Sequence, residues 1–237
     1  MGRTLRTFRW IFLLMCLGAL TSGCVKTFHV AEGFNPAKNQ RRVLIMPSDV
    51  ELSALTAAGL TEPRADWTAA GKSNVDTALG NYLNKKGLVL KQYAGPTGNT
   101  QLSRQDTQLF KLHSAVGKSI LLHKYIEPLQ LPSKKGAFDW TLGDAATRLR
   151  EQHDADYALF IYMRDSFATG GRAAVILVGA ILGVGVQGGQ QAGFASLVDL
   201  RTGSIAWFNV MQSGTGDLRE ADSADSAIKD LLKALPI

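Results

Sequence analysis

The sequence predicts an α/β domain: a helix-backed mixed sheet of about five strands, with a Gly-rich apolar insertion before a C-terminal hairpin and helix. Three observations predict it. Short β-branched apolar runs, Val43 to Met46 and Ala155 to Met163, alternate with longer stretches of helical apolar spacing. Two further apolar runs flank Arg201-Thr202-Gly203, the signature of a hairpin whose glycine takes the positive φ. The 237 residues are 46% hydrophobic and 19% charged, enough for one good core and too apolar for a disordered chain.

The elements follow in order. Arg41 to Pro47 is a buried first strand closed by proline, and Ser53 to Pro63 reads as a loop. Asp66 is an acceptable N-cap for a helix in which Ala70, Val75, Ala78, Leu79, Tyr82 and Leu83 keep helical spacing. Lys85-Lys86-Gly87 ends it, with basic residues at the carbonyl end and glycine beyond. Leu88 to Ala94 is the second strand and Gly95 to Ser103 a turn-rich break. Arg104 to Tyr125 is a helix with Leu109, Leu112, Val116, Ile120 and Leu121 on one side. Glu127 to Asp139, with two prolines, is a loop. Thr141 caps a helix reaching His153, and Ala155 to Met163 is the strongest strand of the chain. Phe194 to Leu200 and Ser204 to Val210 form the hairpin, and Ser223 to Leu235 is an amphipathic helix burying Ala227, Ile228, Leu231 and Leu232. One domain suffices.

The amino terminus is an address. Arg3, Arg6 and Arg9 precede an apolar run from Trp10 to Leu20, and Thr21-Ser22-Gly23 lead to Cys24. A basic start, a short apolar stretch and small residues before a cleavage point make a bacterial secretory signal. The run is too short for a spanning helix. With cysteine directly after Ser22-Gly23, the segment resembles the signal of bacterial lipoproteins, although Thr21 stands where that family most often has leucine. The resemblance implies a diacylglycerol thioether on Cys24, cleavage before it, and palmitate-type acylation of the new amine. It divides the chain into a signal peptide (1–23), the lipidated Cys24 with a tether (24–40) and a single periplasmic domain (41–237). Val25 in place of aspartate implies outer-membrane residence, facing the periplasm.

The address also accounts for the charge. The chain has 26 Lys+Arg against 20 Asp+Glu, a net +6; without the signal, 23 basic and 20 acidic side chains remain, near +3. Cys16 leaves with the signal and Cys24 is capped, so no thiol and no disulfide remain in the body. Basic doublets at Arg41-Arg42, Lys85-Lys86 and Lys134-Lys135 are scattered, without the aromatic interleaving of a nucleic-acid surface.

The strand closing on Pro47, the strand led by Asp154-Ala155-Asp156, and the Asp199–Trp207 hairpin with its following helix resemble the fold shared by the TolB amino-terminal domain and curli-secretion-type lipoproteins. That resemblance implies envelope assembly or secretion work, by analogy of fold.

Chemistry-bearing motifs are sparse. Gly71-Lys72-Ser73 and Gly117-Lys118-Ser119 spell the end of a phosphate-binding loop. The required earlier glycine is Asp66 in one and Leu112 in the other, and both tripeptides sit inside predicted helices. His29 falls in the tether, while His113 and His123 point about 80° apart on one helix. His153 with Asp154 and Asp156 has the residue types for a metal or acid–base site, yet a helix carboxyl end accounts for the histidine. Asp199 before a tight turn reads as a turn-holding carboxylate. The sequence therefore implies no catalytic residue, no metal, no cofactor and no nucleic-acid partner.

One segment is unusual. Ala173 to Val186 is fourteen residues without a polar side chain, bracketed by Arg172 and Gln187. As a helix it reaches about 21 Å, short of a ~30 Å hydrocarbon core, and it lacks the alternation of a lipid-facing barrel strand. Three readings stand: burial against the sheet, a dip into the outer membrane, or packing against the same segment of another subunit through Gly179 and Gly183, four apart. Val175, Ile176, Gly179, Ile181, Leu182 and Gly183 are the candidate membrane or oligomer contacts. The functional expectation is a non-enzymatic, lipid-anchored accessory or scaffold in outer-membrane assembly, secretion or surface maintenance, engaging an envelope protein partner. The alternatives are a subunit of an oligomeric export complex, or a periplasmic ligand-binding protein or hydrolase.

Overall fold

The computed structural model describes residues 28–36, 42–95 and 102–237; the signal segment, Cys24 and Arg41 lie outside them. Eight strands occur among the described residues: β1 (Phe28–Val30), β2 (Arg42–Ile45), β3 (Asp49–Leu55), β4 (Thr61–Pro63), β5 (Val89–Gln92), β6 (Tyr157–Ala168), β7 (Gln191–Asp199) and β8 (Ile205–Ser213). Five α-helices accompany them: α1 (Ala65–Asn84), α2 (Arg104–Tyr125), α3 (Asp144–His153), α4 (Gly170–Ile181) and α5 (Ala221–Leu231).

The eight strands join one mixed sheet, six of them in the order β1-β8-β7-β6-β2-β5, with β3 also paired to β6 and β4 to β3. The twelve-residue β6 is its axis. On one side it pairs antiparallel with β7; on the other its first half pairs parallel with β2 and its second half parallel with β3. Alternate residues then feed two cores. Tyr157, Leu159, Ile161 and Met163 face α1 and α5 together with Val75, Leu79, Ile228 and Leu231. Ala158 and Phe160 face the other layer, where Leu109, Ile120 and Leu149 of α2 and α3 pack on Phe194 and Phe208. A strand buried on both faces reads as continuous apolar sequence, which is why β6 was legible.

The α/β class holds, with three strands beyond the five expected. Phe28–Val30, expected to be tether, pairs antiparallel with β8, His29 opposite Phe208. Three residues are too few to display a period. The expected loop at Ser53 to Pro63 is also corrected: β3 runs to Leu55, and β4 pairs back on it with Ala54 opposite Glu62. In β3 the polar Asp49, Glu51 and Ser53 alternate with buried Val50, Leu52 and Ala54, and Asp49 meets Arg164 of β6 at 2.8 Å. The polar half of that alternation hid the strand.

Three helix starts shift, α5 beginning at Ala221 where Ser223 was expected. α1 begins at Ala65 after Arg64, so Asp66 lies in its first turn, ion-paired to Arg64 at 3.0 Å. α3 begins at Asp144 after Gly143; Thr141 instead donates its hydroxyl to the Gly203 carbonyl (3.0 Å) and pins the β7–β8 turn.

Both Gly-Lys-Ser tripeptides prove to be packing devices. A Cβ at Gly71 would stand 2.8 Å from Leu52 Cδ1, and one at Gly117 would stand 2.2 Å from the Phe194 ring. The glycines let α1 and α2 approach the sheet closely. Gly80, also in α1, has no heavy atom within 4 Å of its Cβ direction. We therefore expect Gly117→Ala to lower unfolding free energy by about 1–3 kcal/mol through overpacking. Gly80→Ala should raise it by about 0.5–1 kcal/mol through helix propensity alone. Urea titrations of the two variants check the opposite signs.

Candidate functional site

The groups with the chemical types of a catalytic site are held in structural roles. Asp154, in the left-handed conformation at φ 48°, ends α3. Its carboxylate takes hydrogen bonds from Arg42 and, at 3.4 Å, from Lys91 Nζ. Asp156 is buried and accepts from Arg42 Nε (3.1 Å) and Nη2 (2.8 Å), which holds its carboxyl below the usual range. His153 lies beside these two in sequence, but its ring packs tilted on Tyr93, centroids 5.2 Å apart, and burial lowers its basicity. Asp199 receives the Arg201 amide at 2.9 Å and the guanidinium at 2.7 Å, tying the β7–β8 turn. Among the described residues, no group of three or more His, Cys, Asp or Glu side chains is arranged to hold a metal.

A serine–histidine pair does occur, and the sequence did not reveal it because the partners lie 83 residues apart. His113 Nε2 is 2.9 Å from Ser196 Oγ, with its ring stacked on Phe160 at 4.5 Å between centroids. Both are buried, His113 on the inner face of α2 and Ser196 on β7. Desolvation pushes the His113 pKa down to about 3. A second such network joins Asp106 to Arg148 (2.5 Å), Tyr93 Oη (2.7 Å) and the Ser103 hydroxyl (2.6 Å), locking α2 to α3 and to the end of β5. Burial, reinforced by the Asp106 carboxylate, pushes the Tyr93 phenol up to about 12. A cleft of about 610 Å³ lies along Val210 to Ser213 of β8, where Tyr125, Asp230 and Lys233 bring the titratable groups.

The apolar insertion is the other candidate, and here the placement is distinctive. α4 starts one residue beyond β6, and the chain re-enters the sheet where Gln191 opposes Asp165. Thr169 is the cap: its Oγ1 accepts the Arg172 amide at 3.3 Å and donates to the Leu55 carbonyl of β3 at 3.0 Å. Arg172 closes the base of the excursion, giving Nε and Nη2 to the Gln187 carbonyl at 3.1 and 2.8 Å. At the far end Gly183 takes φ +71°, Gly183 N donates to Ala180 O (3.2 Å) and Val184 N to Gly179 O (2.7 Å). This doubly bonded glycine cap reverses the chain without leaving those carbonyls bare.

The candidate contacts separate accordingly. Gly179 is buried, and its missing Cβ is filled by Val186, 2.6 Å from where that carbon would stand, so its small face is already occupied by the same chain. Gly183 makes the turn, and Ile176 is half-buried over Gly188. Val175, Ile181 and Leu182 are exposed, as are Leu177, Val178 and Val184. Burial of the whole tract against the sheet is thus overturned. Among the described residues no helix is long and apolar enough to cross a membrane.

The fold and this site together define an α/β body with a three-layer core and an apolar helical excursion at one end of its sheet. No protein-family model matches the chain, and no curated protein matches it in sequence. Among solved structures, similarity is found to the PelC dodecamer from Paraburkholderia phytofirmans, at 14% identity and a TM-score of 0.36, covering 87% of this chain and 96% of that one. Lipoprotein GNA1162 from Neisseria meningitidis is similar at 11% identity and TM-score 0.31, covering 82% and 96%. The LpoB C-terminal domain from Salmonella enterica is similar at 16% identity and TM-score 0.27, covering 77% and 87%.

The buried histidine has a solution consequence. An unfolded histidine takes up a proton near pH 6.5, whereas His113 in the fold stays neutral until about pH 3. Its contribution to stability is complete above pH 6.5 and falls by about 1.4 kcal/mol per pH unit below it. The urea midpoint of the wild type should therefore drop more steeply between pH 6.5 and 5 than that of His113→Gln, measured side by side.

Proposed function

We propose that this protein is a non-enzymatic lipoprotein, anchored through Cys24 to the periplasmic face of the outer membrane, where it serves as an accessory or scaffold for a protein partner in envelope assembly, secretion or surface maintenance. The observation that carries the reading is the address itself: three arginines, an apolar run to Leu20 and small residues ending at Cys24. Two acyl signals suffice for stable membrane residence, which one chain does not provide. The body supports the non-enzymatic part. Among the described residues, three of the four buried carboxylates, Asp106, Asp156 and Asp199, each face an arginine, the fourth, Asp165, accepts from Gln191 and the Leu218 amide, and the serine–histidine pair is buried. Groups committed in this way hold loops and helices together through charge-assisted hydrogen bonds.

Metabolic labelling of the full chain in a Gram-negative host with tritiated palmitate tests the anchor. Label is expected in the wild type, in the outer-membrane fraction, and is expected to be lost in Cys24→Ser with the body still folded. An unlabelled wild type, or label that survives the substitution, overturns the anchor. Light scattering on the detergent-extracted protein separates the scaffold reading from an export ring: a discrete large oligomer favours the ring.

A further inference from the structure

The geometry points to the α4 excursion as a membrane-docking element that dips into the same leaflet that holds the lipid anchor. The inference rests on the Cys24 anchor proposed above and adds a second, separate attachment.

The first argument is chain length. β1 pairs antiparallel with β8, Phe28 opposite Asn209 and Val30 opposite Trp207. The chain therefore enters β1 from the side where β8 ends at Ser213, which is also where Gln191 opens β7 and Asp165 leads out of β6. That is the end of the sheet carrying α4. Cys24 precedes Phe28 by four residues, at most about 14 Å of chain. An acylated Cys24 consequently holds this end against the bilayer surface and leaves the other end away from it.

The second argument is the chemistry of the excursion. Residues 169–190 contain no Asp or Glu and one basic residue, Arg172, whose guanidinium is committed to the Gln187 carbonyl. Ile181 is 76% exposed and Leu182 71%, at the tip. Leu60 of the β3–β4 turn is exposed too, near the base of the excursion, where the Ala57 carbonyl receives Arg172 at 3.4 Å. From Ala173 to Val186 no side chain can donate or accept a hydrogen bond. Such a surface offers a protein partner nothing to set register. A hydrocarbon phase asks for none.

The third argument is backbone satisfaction. Lipid tolerates a helix end only if its polar groups are paired within the protein. The glycine reversal at Gly183 supplies that pairing at the tip, while at the base Thr169 takes the Arg172 and Ala173 amides. At about 18 Å the helix is too short to span, and suits a shallow insertion of about 5–10 Å.

The test uses the full chain, purified from outer membranes and reconstituted in vesicles of phosphatidylethanolamine and phosphatidylglycerol. Because both natural cysteines belong to the signal or the anchor, Ile181→Cys, Leu182→Cys and the control Gln152→Cys can each carry one environment-sensitive fluorophore. Gln152 is exposed near the end of α3, at the opposite end of the sheet. Nitroxide-labelled lipids should quench the labels at 181 and 182 at least twofold while leaving 152 unaffected, and aqueous iodide should do the reverse. Iodide quenching at 181 and 182 equal to that at 152 overturns the insertion. Shielding from both quenchers, with cross-linking between chains, overturns it in favour of an interface between copies. Palmitate content measured on the same sample distinguishes the two failures: acylated protein with wet labels loses only the insertion, whereas unacylated protein loses the anchor and the insertion with it.

Discussion

Everything in this molecule hangs on β6. A strand paired on both edges and covered on both faces must be apolar throughout, and Tyr157 to Met163 meets that demand with nearly complete burial. It then imposes its needs on the rest of the chain. Its two faces require two helical layers, α1 with α5 and α2 with α3. One edge, twelve residues long, exceeds what β2 can pair, so β3 continues the pairing after the Met46–Ser48 interruption. The helices come close only because Gly71 and Gly117 remove the side chains that would hold them off.

Beyond Met163 the strand outruns its cores, and polar residues appear on it. Asp165 is buried there; it accepts Gln191 Nε2 at 3.0 Å and the Leu218 amide at 3.2 Å, and desolvation raises its pKa. The carboxyl thereby fastens the segment leading into α5 to the point where β7 begins. On the inner face Asn209 gives its amide to the Asp230 and Leu231 carbonyls at 3.1 and 2.8 Å, so α5 is held at its last turn by β8. These two polar contacts fix where the terminal helix lies, a task apolar packing performs poorly because it is not directional.

How much of this could be read from residues alone follows from the range of each interaction. β6, the hairpin at Gly203 and the helices α1, α2 and α5 carry their information locally, in apolar period and turn chemistry, and were legible. β1 and β4 were not: each is three residues long, and each exists only because a partner edge is available. The sealing of His113 against Ser196 depends on how α2 crosses the sheet, which no local pattern encodes. The apolar tract was legible as an anomaly, and its bracketing Arg172 and Gln187 were visible too. Its exposure was not, because hydropathy reports what a side chain prefers and says nothing of whether the fold has room for it. The two cores are already filled by the layers on β6, and the tract is left outside.

That exclusion gives the sheet two chemically different ends. At the end where β6 starts, Arg42 binds Asp154 and Asp156, Lys91 adds to Asp154, and Asp199 holds Arg201, so charge is dense and mutually compensated. At the end where β6 stops, Leu177, Val178, Ile181, Leu182 and Leu60 are exposed, the excursion itself has no acidic residue, and nearby Arg219, stacked on Phe167 at 4.0 Å, is paired with Asp217. A body with uniform surface on a short lipidated leash would tumble through many orientations. On the proposed anchoring, one whose apolar end faces the leash is oriented by the proposed burial of α4, and its other end is the surface left for the proposed protein partner. Compensated ion pairs suit that position, since they keep the surface solvated while offering paired donors and acceptors of defined geometry. On the proposed anchoring, orientation relative to the membrane is thus a property of the fold, set by where β6 runs out of core.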